Sequence, residues 1–100
     1  MEAKLTELAR RDKEKIPDEK WKVIKARIKS VDTVSNHPDT KLIPNPILDH
    51  PIWQLNVEER DVNYRVYIDI EGSTLVVLAI WSFDFTHSGD RHWQRLDERM

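Results

Sequence analysis

One hundred residues are enough for one domain around one core, and a chain that is 39% hydrophobic and 34% charged, with four Trp, has the apolar content to fold. Without Cys there is no disulfide, thiolate nucleophile or cysteine-bound zinc, and with Gly72 and Gly89 as the only glycines no glycine-rich loop can cradle a nucleotide. The net charge of −2 divides into +4 over residues 1–30 (ten Lys/Arg, six Asp/Glu) and −6 over residues 31–100 (six against twelve), so a bound polyanion has to meet a local basic surface.

The start is charged from Glu2, and no stretch approaches the roughly 18–20 apolar residues of a membrane span, so the expected location is the cytoplasm. Leu5, Leu8, Ala9 and Ile16 recur near helical spacing and predict a first amphipathic helix, closed by Pro17. Pro17 suits the first position of a second helix, where its missing N–H is no loss, and Asp18 and Glu19 complement the helix dipole. Trp21, Ile24, Ile28 and Val31 form the packing stripe of that helix, and Lys22, Lys25 and Lys29 fall on another face. The two helices occupy about 2–34. Asn36, His37, Pro38 and Asp39 are turn formers, and Pro44, Pro46 and Pro51 extend a proline-rich loop over 36–51.

From Ile52 the period changes to two. Trp53, Leu55 and Val57 alternate with Gln54, Asn56 and Glu58; after a charged turn, Tyr64, Val66, Ile68 and Ile70 alternate with Arg65, Tyr67, Asp69 and Glu71. Gly72 and Ser73 turn into the nearly unbroken β-branched and aromatic run 74–83, which reads as an inner strand covered on both faces, although two helices can cover only one. A short helix from about Asp90 to residue 99 carries Trp93, Leu96 and Met100 on one side and can pack on the sheet or on a partner. The expected fold is α+β, a single domain in which an N-terminal helical hairpin packs on a small antiparallel sheet over about 52–83, with a C-terminal helix.

Candidate chemistry is sparse. No Gly-x-Ser-x-Gly elbow is present, and Glu58 and Glu59 read as a solvated turn. Asp84, His87, Asp90 and His92 have the donor types of a zinc or manganese site, but their spacing matches no metal motif, and N-capping by Asp90 beside solvated histidines accounts for them as well; no metal or other cofactor is expected. The histidines can also exchange protons near neutral pH. Lys22, Lys25 and Lys29 could contact phosphate or simply be the wet side of a helix. Trp93, beside Arg91 and His92, could stack on a base or fill a partner's pocket, against an ordinary place in the core.

The order of two helices, a strand, a Tyr-Arg-bearing strand and a buried strand resembles the RelE/ParE superfamily of toxins from toxin–antitoxin systems. The resemblance is carried by Asn63-Tyr64-Arg65-Val66-Tyr67, the Glu71-Gly72 turn and Leu75-Val76-Val77-Leu78-Ala79-Ile80, within Trp53 to Ile80. It implies a metal-independent, ribosome-dependent mRNA endonuclease with a cognate antitoxin as partner. Arg65 would stand near the scissile phosphate, His87, Arg91 and His92 would supply phosphate-binding and acid–base groups, and Arg60, the three helix lysines and Trp93 would contact RNA. In the family a strand precedes the helical pair, whereas the alternation here shows none, and Gln54 and Asn56 stand where RNA-cutting members carry lysines. Arg65 also reads as a solvent-facing strand residue paired with Asp69 or Glu71. The alternative is a non-enzymatic interaction or inhibitor protein, gyrase binding of the ParE kind included, that uses a sheet edge and the C-terminal segment.

Overall fold

The computed structural model describes residues 2–33, 37–44, 46–82 and 90–100, with only the backbone of Asp90. At its centre are the strands predicted from alternation, β3 (Ile52–Glu59) and β4 (Val62–Glu71), and from the apolar run, β5 (Thr74–Ser82), joined as antiparallel hairpins. Arg60 (φ 53°) and Gly72 (φ 60°) turn them in the left-handed region, open to Gly at no steric cost and disfavoured for Arg. In the β4–β5 ladder Ile68 pairs with Val77 and Tyr67 with Ala79, so Leu78 is left over as a β-bulge. The bulge lets Val77 and Ile80 join one core while Leu78, Ala79 and Trp81 join the other.

Two short edge strands complete a five-stranded sheet in the order β1-β5-β4-β3-β2. β1 (Glu2–Leu5) runs parallel to β5, and β2 (Thr40–Ile43) runs antiparallel to β3. Both correct the sequence reading. A strand precedes the helical pair, the sheet is mixed and not purely antiparallel, and the proline-rich stretch contains four residues of strand just before Pro44.

The helical span divides into α1 (Glu7–Glu14) and α2 (Asp18–Lys29). Thr6 caps α1 by accepting the Ala9 N–H at 3.1 Å, and Pro17 sits at the N-cap of α2, one residue earlier than expected. The packing face of α1 is Ala9 and Asp12; of the expected stripe Ala9 and Ile16 are buried, whereas Leu8 is 40% exposed and Leu5 belongs to β1. Ala9, Ile16, Ile24 and Ile28 cover Leu55, Val57, Val66, Ile68, Val77 and Ile80 on one face of the sheet. The other face is covered by α3 (Asp90–Asp97) and the segment around Leu48, which enclose Ile52, Tyr67, Leu78, Ala79 and Trp81 with Leu96. This supplies the second cover that the apolar run of β5 demands. Among the described residues no helix is long and apolar enough to cross a membrane.

Candidate functional site

Polar chemistry gathers where the sheet meets α3. Arg65 and Tyr67 are two apart on β4 and share its α3-facing side. Arg65 lies between Asn56 on β3 and Trp81 on β5; Tyr67 lies between Gln54 and Ala79. Arg65, Tyr67, Gln54 and His92 are all less than 9% exposed. The Arg65 guanidinium donates to Glu58 Oε1 at 2.6 Å and to Asn63 Oδ1 at 3.0 Å, with a further bond to the Tyr64 carbonyl at 3.2 Å. Its carboxylate partner is therefore Glu58 across the hairpin, in place of the expected Asp69 or Glu71, and the side chain is buried. Asp69 turns instead to His50, at 2.8 Å.

From α3, His92 reaches the Tyr67 hydroxyl with Nε2 at 2.8 Å and sets its ring against those of Tyr67 and Trp81, with centroids 5.5 and 5.0 Å away. Burial pushes the Tyr67 phenol up to about 12, against a smaller opposing pull from the Arg65 charge, so it is a neutral O–H at physiological pH. A guanidinium, a phenol and an imidazole thus share one sheet face, with the amides Gln54 and Asn56 (2.7 Å apart) beside them. That set can hold an oxyanion and move a proton.

The remaining predicted residues are scattered. His87 lies outside the described residues, so of Asp84, His87, Asp90 and His92 only His92 has a described side chain; no cluster of metal-binding type occurs among the described residues. Arg91 is exposed on α3, and Trp93 is half-buried, its ring 6.1 Å from Tyr67 and 4.8 Å from His92, which places it in the packing. Arg60 borders a cleft of about 310 Å³ with Lys20 and Val23, away from the Arg65 side chain. The three α2 lysines expected to contact RNA, Lys22, Lys25 and Lys29, do not act together. Lys25 lines a groove of about 720 Å³ with Lys4, Arg10, Lys13 and Trp21, whereas Lys22 and Lys29 are exposed outside it. Lys4, Arg10, Lys13 and Lys25 form no ion pair among the described residues, and Lys13 stands 5.1 Å from the Trp21 ring centre.

Tyr67, Glu58 and Trp81 were not among the expected site residues. For Tyr67 the signal was present, because alternation already puts it on the face of Arg65; for Glu58 it was not, because only the hairpin register brings it to Arg65. No family model, curated protein or solved structure matches the chain.

Proposed function

We propose that this chain is a RelE/ParE-like toxin that acts in the cytoplasm, cuts mRNA on the ribosome without metal and is held in check by a cognate antitoxin. The observation that carries the reading is the convergence of Arg65, Tyr67 and His92 on one sheet face. A strand ahead of the helical pair, running parallel to the last strand, further supports the likeness to that family.

The chemistry follows from the side chains. The His92 imidazole accepts the proton of a ribose 2′-hydroxyl, whose oxygen bonds to phosphorus. The Arg65 guanidinium balances the charge of the phosphorane, and the neutral Tyr67 hydroxyl protonates the departing 5′-oxygen as its bond to phosphorus breaks, leaving a cyclic phosphate. Glu58, 61% exposed in its side chain, holds Arg65 as a stand-in for the phosphate. The substrate displaces it. The basic groove with Lys4, Arg10, Lys13, Lys25 and Trp21 offers the local positive surface that ribosomal RNA requires of an acidic protein.

The test is mRNA integrity in a cell-free translation reaction. Wild type gives cuts only with ribosomes present; Arg65→Ala and Tyr67→Phe suppress them, and Glu58→Gln increases them. Intact mRNA at micromolar protein overturns the nuclease reading and favours the second one, a protein-binding module. That reading draws on the edge strand β2, where Leu42 is 47% exposed, and on the 9% exposure of the Arg65 side chain.

A further inference from the structure

A separate cleft of about 320 Å³ opens where the end of α1, the last residues of β5 and α3 come together, lined by Lys15, Tyr64, Trp81, Ser82, Arg95 and Arg99. We propose that it is a phosphate-binding site. The proposal goes beyond the toxin reading and holds whether or not RNA is cut.

The cations differ in how they are held. Arg99 is committed, with Nη1 2.6 Å from Asp12 Oδ2 and Nη2 3.3 Å from Asp12 Oδ1, so the one carboxylate that lines the cleft is already neutralised. Lys15 and Arg95 have no carboxylate partner among the described residues. Their two charges are left over, and both line the same cavity.

Trp81 orders this end of the site. The guanidinium carbons of Arg95 and Arg99 lie 4.7 and 4.9 Å from its ring centre, which fixes their planes; Arg99 spends its N–H groups on Asp12 and Leu78, and the N–H edge of Arg95 is the one left for a ligand. Tyr64 and Ser82, opposite each other on β4 and β5, add hydroxyls that make no side-chain hydrogen bond among the described residues. A guanidinium, an ammonium and two hydroxyls around one cavity suit a tetrahedral oxyanion with several acceptor oxygens better than a planar carboxylate, which one arginine satisfies. Trp81 also touches His92, so the cleft adjoins the Arg65 face without sharing its cations.

The experiment compares the full chain with Lys15→Ala/Arg95→Ala and with Lys22→Ala/Lys29→Ala, which removes equal charge from exposed positions outside the cleft. Thermal shift and calorimetry are run with inorganic phosphate, with adenosine monophosphate and with a short RNA. We expect phosphate or the nucleotide to raise Tm in wild type and in the second pair, and the first pair to lose about tenfold or more in affinity. If only RNA binds, and the first pair alone loses about tenfold, the phosphate comes from a polymer and the site stands. The proposal is overturned if all three proteins respond alike, if both pairs lose equally, or if the first pair only lowers the unliganded Tm, since the cations then merely cap helix ends.

Discussion

Asp12 and Arg99, eighty-seven residues apart, close a strand edge that β1 leaves open. β1 pairs with β5 only as far as Leu5 and Val77; beyond it, the Asp12 carboxylate accepts the Ile80 N–H at 3.1 Å and Arg99 donates to the Leu78 carbonyl at 3.1 Å. The side chains of the pair are only 10% and 14% exposed. An ion pair thus takes the place of the missing strand.

Removing the carboxylate leaves a nearly buried guanidinium without its counter-charge, with only the Leu78 carbonyl to accept from it, and a strand N–H without its acceptor. Asp12→Ala is therefore expected to cost about 3 kcal/mol in urea unfolding, and Asp12→Asn less, because the amide oxygen still accepts the N–H. A loss below about 1 kcal/mol for Asp12→Ala would mean that water takes over both partners.

Tyr67 is held neutral by burial, with its pKa raised from 10.0 to about 12. A raised value means that the folded state holds the proton more tightly, so the stability tied to this group is intact below pH 10 and is lost as pH climbs towards about 12. Ultraviolet titration should show a late phenolate that Tyr67→Phe abolishes. The same variant removes the hydroxyl bonded to His92 and is expected to lose about 1 kcal/mol of stability.

His50 is raised above its ordinary 6.5, first by its hydrogen bond to Asp69 and then by that to Asp49. Its protonated form is the one favoured by folding. Its contribution is complete below 6.5 and disappears as pH rises through the folded-state value. Asp69→Asn should flatten this part of the stability–pH curve; an unchanged slope in the variant would show that the pair carries no proton linkage.

Arg60 occupies the left-handed turn between β3 and β4 at φ 53°. Arg60→Gly removes the steric cost of that conformation and should raise stability by up to about 1 kcal/mol, less the extra chain entropy of glycine in the unfolded state. A destabilised variant would place the value of Arg60 in its side-chain contacts.

β3, β4 and the helix α2 were legible because their periodicities are local and long, and β5 because its apolar run is nearly continuous. β1 was not: Glu-Ala-Lys-Leu consists of good helix formers, and only the distant edge of β5 makes it a strand. β2 was hidden by its four-residue length among prolines. For the candidate site, the Tyr-Arg strand pointed to Arg65, and alternation placed Tyr67 beside it. The Glu58 bond depends on hairpin register, and the His92 bond on how α3 lies across the sheet, neither of which any local pattern encodes.

The placement of β1 beside β5 also bears on the order in which the molecule assembles. The hairpins β3–β4 and β4–β5 close over a few residues each, whereas Glu2 meets Thr74 only by closing a loop of about seventy residues, for which the chain loses entropy before any ladder bond forms. The three central strands are the natural nucleus, with β1 and the Asp12–Arg99 tie added late. Amide exchange should therefore be slowest at Val66 and Ile68 and fastest along β1, so the outer edge of the sheet is the first part of the fold to open.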